Sequence, residues 1–180
     1  MKNLSVVESL HQLIKPLIST DDIVVDATMG QGYDTVFLAQ HARFVYAFDI
    51  QEVALINTQK RCDDLGINNV KLILDSHEHI FNYIDDFKLV IFNLGYLPLG
   101  DKSITTQKET TLLALKSCIN HLKKDRYIVM TMYPGHPAGR VESEAICAFL
   151  ETLDPKIYKI LRLDVPFAAN HPPFSYIIKT

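Results

Sequence analysis

Four short apolar runs of this chain each end in a residue with a side-chain oxygen: Asp26, Asp49, Asp75 and Asn93. A carboxylate accepts from hydroxyls, so Asp49 can take both hydroxyls of a ribose, and Asp75 with Ser76 can meet an adenine. After Asn93 come Leu94, Gly95, Tyr96, Leu97 and Pro98. The Asn93 carbonyl can accept from an amino group and aim its lone pair, and the Tyr96 ring can stack on a base. Alignment of that kind supplies much of the catalysis of a direct transfer. Taken singly, each of these residues could be a turn or capping group. Their repetition at successive strand ends is the informative feature.

The first loop reads Asp26-Ala27-Thr28-Met29-Gly30-Gln31-Gly32-Tyr33-Asp34-Thr35. Gly30 and Gly32 let the backbone turn tightly and approach a ligand. A lone G-x-G often marks only a turn; after a strand pattern and before a helix pattern it points to a nucleoside ligand. A dinucleotide fingerprint needs a third small residue where this chain has Thr35, which counts against a pyrophosphate cofactor. Polar Thr28, Gln31 and Asp34 suit the amino-acid end of S-adenosylmethionine instead.

Further along, Asp101 can take a proton and Lys102 can hold a phosphate. Tyr133 and His136 follow another strand and can line an acceptor pocket, with Arg140 in reach of a phosphate. Solvated charges are the plain alternative for Asp101, Lys102 and Arg140. His77-Glu78-His79 begins a helix, where alternate residues do not share a face, and nothing nearby completes a ligand set. No metal is expected.

The elements that must position these residues are legible in the periodicity. Val6, Leu10, Leu13 and Leu17 suggest a leading helix. Strands are read at Ile23–Val25, Phe44–Phe48, Val70–Leu74, Phe87–Phe92, Tyr127–Met132, about Ile157–Leu163 and Phe174–Lys179. Helices are read at Asp34–Gln40, at Gln51–Leu65 before Gly66, along Leu112, Leu115, Ile119 and Leu122, and along Ile146, Phe149, Leu150 and Leu153 with Pro137 near the start. Thr106 and Glu109 have capping-box spacing. Strands alternating with helices imply right-handed crossovers and a mainly parallel sheet. The last two strands have no helix between them, so they are expected to pair antiparallel.

A length of 180 residues with 48% apolar side chains fits one globular domain over residues 1–180. The three scattered cysteines form neither a CxxC pair nor a disulfide framework, which suits a reducing, cytoplasmic location. No signal-peptide core or membrane span is read. A net charge of −3 excludes a generic nucleic-acid coat without excluding a local basic patch.

Asp26-Ala27-Thr28-Met29-Gly30, Phe48-Asp49-Ile50-Gln51, Leu74-Asp75-Ser76-His77, Asn93 to Pro98, Gly100 to Thr106 and Tyr133-Pro134-Gly135-His136 together resemble the small rRNA-methylase family of bacteria. The likeness runs on to Asn170 and Pro172-Pro173-Phe174. Members are known as tRNA 5-aminomethyl-2-thiouridine methyltransferases. The resemblance implies an α/β, Rossmann-like class I methyltransferase: a seven-stranded, mostly parallel sheet with an antiparallel last strand beside the fifth, and helices on both faces. It implies S-adenosyl-L-methionine as cofactor, the tRNA anticodon arm as partner, and a homodimer. Asn93, Tyr96 and Asp101 become the catalytic candidates. The cofactor set is Asp26, Thr28, Met29, Gly30, Gln31, Gly32, Asp34, Thr35, Asp49, Ile50, Gln51, Asp75, Ser76, His77 and Asn93. The acceptor set is Lys102, Thr105, Tyr133, His136, Arg140, Asn170 and Phe174. Leu99 stands where the pattern has a small residue, and His171 where a second Asn is common. Competing readings are methylation of rRNA or of a small amine, a nicotinamide-dependent oxidoreductase, and a non-catalytic RNA-binding module.

Overall fold

The central strands carry apolar side chains on both faces, because they are covered on both, whereas the edge strand at Lys159–Leu163 is largely exposed. In β1 (Ile23–Asp26), Val24 and Val25 belong to opposite cores, and in β4 (Leu89–Asn93) Leu89 and Ile91 face one way, Val90 and Phe92 the other. That is the two-residue period of a pleated strand buried on both sides. The remaining strands are β2 (Phe44–Asp49), β3 (Val70–Leu74), β5 (Tyr127–Met132), β6 (Lys159–Leu163) and β7 (Phe174–Lys179). They form one seven-stranded sheet ordered β3-β2-β1-β4-β5-β7-β6. All neighbours pair parallel except β7, which runs antiparallel to both β5 and β6. These statements come from a computed structural model that describes residues 5–95, 106–167 and 171–180.

On one face lie α1 (Val6–Ile14), α2 (Tyr33–Ala39) and α3 (Glu52–Asp64), which bury Leu10, Ile14, Leu38 and Ala54. On the other lie α4 (Lys108–His121), α5 (Pro137–Glu151) and a 3-10 turn at His77–Asn82, which bury Leu115, Ile146 and Ile80. β1 sits where the strand order reverses, so the chain opens a crevice outside the carboxyl ends of β1 and β4. Asp26, Asp49 and Asn93 close their strands at that edge, and Asp75 follows β3 there.

Several local expectations shift. Helix α1 ends at Ile14, because Pro16 continues it only as a 3-10 turn. Its buried stripe is Val6, Leu10 and Ile14, while Leu13 is exposed. β4 begins at Leu89, although Phe87 is buried ahead of it, and β6 begins at Lys159 after a turn closed on Asp154. Thr106 does not cap α4: Gln107 holds that position without a side-chain cap bond, and the Thr106 hydroxyl turns to Glu142 instead. Among the described residues no helix is long and apolar enough to cross a membrane.

Candidate active site

A cleft of about 820 Å³ opens at this edge, within the usual volume of a small-molecule site. Its floor is the β1–α2 loop, and Asp26 shapes that floor from below. Fully buried, Asp26 accepts from Thr28 N–H at 3.1 Å and from the Thr35 hydroxyl at 2.5 Å, so it ties the loop to α2. Desolvation by burial, then the nearby Asp34 carboxylate, push its acid up to about 7. Gly32, at φ +78°, precedes α2, and a Cβ there would stand 2.9 Å from the Thr58 hydroxyl and 3.1 Å from its backbone. Only glycine fits that approach.

Asp49 crosses the loop from the end of β2. One carboxylate oxygen accepts from Gly30 N–H at 3.1 Å and the other from Gln51 N–H at 3.0 Å. Burial nevertheless raises its acid above the usual carboxylate value. Asp75 behaves differently. His79, Tyr83 and Ser76 N–H all donate to it at 2.8 Å, and the His79 and Tyr83 bonds hold its acid below the ordinary value. Its oxygens are thus largely engaged inside the chain.

His77 is buried against Phe92, edge to face at 5.7 Å. Burial drives its imidazole down to about 4, so the ring is neutral near neutrality, and it bonds the Ala27 backbone. Its Nε2 is buried with no partner. A neutral ring that donates from Nδ1 leaves Nε2 as an acceptor.

At the end of β4 the Asn93 amide is fixed by one edge. Its Nδ2 donates to Asp34 Oδ2 at 3.0 Å, and its own backbone N–H donates to the Thr28 hydroxyl at 2.7 Å. Asn93 lines the cleft, and its Oδ1 is a second buried atom without a partner. Tyr133 stands alongside, its phenol raised chiefly by burial and then by the Asp34 charge, and partly lowered by a side-chain hydrogen bond with Asn93.

Of the residues expected from sequence, Thr28, Met29, Gly30, Gln31, Asp34, Asp49, Ile50, Gln51, Asp75, Ser76, His77, Asn93, Tyr133 and His136 line one cleft. His136 also caps α5, its Nδ1 accepting from Gly139 N–H at 3.1 Å. Asp26, Gly32 and Thr35 support the floor without lining it. Two acceptor candidates are not brought in. The Arg140 side chain is 69% exposed and, among the described residues, pairs with Glu144, while Phe174 is buried in the core beneath the Arg162 guanidinium. Tyr96, Asp101, Lys102, Thr105 and Asn170 lie outside the described residues.

The cleft also takes in Tyr33, Thr106, Thr110 and His171, which sequence reasoning had not assigned to a site. Behind Thr106 stands Glu142, buried and accepting from the Thr106 and Thr111 hydroxyls at 2.7 Å each. A signal for it existed: Glu142 falls on the same α5 face as Gly139 and Ile146, a carboxylate placed where an apolar residue belongs. Among the described residues no group of His, Cys, Asp and Glu is arranged to hold a metal ion.

Strand order and cleft define a Rossmann-like, class I methyltransferase fold. The chain belongs to the family described as "Putative rRNA methylase", whose model matches residues 45–179. A solved rRNA-methylase structure from Clostridium thermocellum superposes with a TM-score of 0.93 at 39% identity, covering 99% of both chains. A Streptococcus mutans methyltransferase solved in complex with SAH superposes with a TM-score of 0.90 at 37% identity, covering 97% of both. The Arabidopsis thaliana chloroplastic "tRNA (mnm(5)s(2)U34)-methyltransferase" is 37% identical over 157 residues, 79% of this chain and 57% of that protein. The chain therefore spans a little over half the length of that relative.

Proposed function

We propose that this chain methylates the aminomethyl nitrogen of 5-aminomethyl-2-thiouridine at the tRNA wobble position, giving 5-methylaminomethyl-2-thiouridine. The observation that carries the reading is the Asn93 amide. Its nitrogen is spent on Asp34 and its buried oxygen has no partner in the cleft, where it can accept from a primary amine. The Arabidopsis relative's name supports the choice of nucleoside.

The cofactor is S-adenosylmethionine, which when bound supplies a methyl group already activated by its sulfonium. The residues fit it: Asp49 would take the ribose hydroxyls, and His77 Nε2 would accept from a donor on the adenine. On this reading Thr28, Gln31 and Asp34, which line the same cleft, would meet its amino-acid end. Asn93 holds the acceptor amine by its N–H and leaves the lone pair aimed forward, while Tyr133 walls the acceptor side. Transfer of the methyl from the cofactor's sulfur to the amine would leave the cofactor as the neutral thioether and the nitrogen as an ammonium. Asp101 is the proposed acceptor of the proton it then gives up. The whole chain acts as one catalytic unit on this reading, with the tRNA anticodon arm as partner, as a cytoplasmic homodimer.

The test is incubation with S-adenosylmethionine and tRNA that lacks only the final methyl, followed by nucleoside mass spectrometry. Conversion of the 5-aminomethyl to the 5-methylaminomethyl nucleoside is expected. No conversion, with methylation of rRNA or of a free amine instead, overturns the choice of substrate.

A further inference from the structure

His11 lies in the leading helix, ahead of residues 45–179 that match the family model, and no comparison gives it a role. Its Nε2 is 2.6 Å from Asp34 Oδ1, and its ring stacks flat on Phe37 with centroids 4.0 Å apart. Asp34 is nearly buried, and its second oxygen receives the Asn93 amide at 3.0 Å. Three elements, α1, α2 and β4, are thus joined in a single line of hydrogen bonds that ends on the unpartnered Asn93 Oδ1.

An asparagine amide has two chemically opposite edges of nearly the same shape, so packing alone cannot choose which one faces the cleft. An ionised carboxylate can. It only accepts, so it must be met by the amide NH2, and the carbonyl then points the other way. That selection lasts while Asp34 is held with an oxygen facing the Asn93 amide. Asp34 is buried close to Asp26, where a carboxylate oxygen left without a donor is costly. The His11 N–H directed at Oδ1 offsets the cost. Without it, the Asp34 carboxylate is free to turn away, Asn93 loses the acceptor that fixes its NH2, and the amide can turn its NH2 into the cleft. An NH2 there repels the N–H of an acceptor amine and competes for its lone pair.

We propose that His11 is a positioning residue which, through Asp34, sets the orientation of the Asn93 amide and so the geometry of the acceptor amine. The inference rests on the proposed role of Asn93 as the amine's acceptor. His11 touches neither substrate nor cofactor.

The test compares His11→Phe, which keeps the flat ring on Phe37 but has no N–H, with His11→Gln, which restores a side-chain donor. Two readouts are taken. The first needs no substrate: the Asn93 side-chain amide is assigned by its absence in Asn93→Ala, and its hydrogen exchange is measured by 15N NMR. Slow exchange is expected in the native chain and in His11→Gln, and at least tenfold faster exchange in His11→Phe. The second is turnover on the aminomethyl tRNA. His11→Phe should lose at least tenfold in kcat, with KM for tRNA and Kd for S-adenosylhomocysteine within about twofold, and His11→Gln should recover most of it.

Unchanged amide exchange in His11→Phe overturns the proposal. So does a His11→Gln variant that melts like the native chain yet is as slow as His11→Phe. If kcat, cofactor affinity and melting temperature fall together in both variants, His11 is merely structural. Full turnover by Asn93→Ala has a separate meaning: it removes the amine-orienting role of Asn93, whatever His11 does to the amide.

Discussion

Thr106 and Glu142, 36 residues apart in sequence, meet in a 2.7 Å hydrogen bond beside the cleft. The same threonine hydroxyl accepts from Gly95 N–H at 2.9 Å, and Thr106 N–H donates back to the Gly95 carbonyl. Gly95 and Thr106 are the two ends of the segment that carries Tyr96, Asp101 and Lys102. Glu142 therefore holds the neck of that segment against α5.

Glu142→Ala leaves two threonine hydroxyls without their acceptor, and should cost about 2–4 kcal/mol of stability. Glu142→Gln, which keeps the volume and one carbonyl, should cost about 1 kcal/mol. Urea unfolding measures both. Turnover of the Ala variant should fall more than its cofactor affinity does. An Ala variant as stable and as active as the native chain rules the neck out.

The acid of Asp26, raised from 3.8 to about 7 by burial and by Asp34, makes a signed prediction. Between those values the folded chain binds the proton and the unfolded chain does not. The contribution is fully present below about pH 4 and is lost as pH rises through 7. Asp49 and Glu142, also raised by burial, act in the same direction. Asp26→Asn is neutral at every pH, so the native chain should lose stability relative to it from pH 5 to pH 8. Parallel stability curves for the two chains would show that Asp26 titrates normally.

His77 has the opposite sign. Its imidazole is lowered from 6.5 to about 4 by burial, so the unfolded chain binds the proton in that window, and stability falls as pH drops through it. His77→Phe should lose that acid sensitivity and gain relative to the native chain at pH 5. It also removes an acceptor from the cleft, so S-adenosylhomocysteine should bind about five- to tenfold more weakly. Equal binding by calorimetry would take Nε2 out of the site.

Asp49→Ala removes a carboxylate that braces Gly30 and faces the cleft. Hydrogen bonds to a charged group contribute roughly 1.5–3 kcal/mol, so cofactor affinity should fall about 10- to 100-fold. An isothermal titration that finds native affinity in this variant ends the ribose assignment.

Much of this molecule is written locally. A two-residue alternation in Leu89 to Phe92 reports a strand covered on both sides, and Pro137 marks the first residue of α5. A parallel sheet brings its carboxyl ends to one edge whatever its helices do in detail, so Asp26, Asp49, Asp75 and Asn93 could be grouped from sequence. Only the folded chain decides how helices sit against one another, because that depends on side chains far apart in sequence. It turned Arg140 outward, buried Phe174, sent Thr106 to Glu142 instead of to a helix cap, and set His11 behind Asp34. Periodicity says which face of an element is apolar. It says nothing about which polar group on another element waits at hydrogen-bond distance, and here that choice settles which atom of the Asn93 amide is bonded and which is left without a partner.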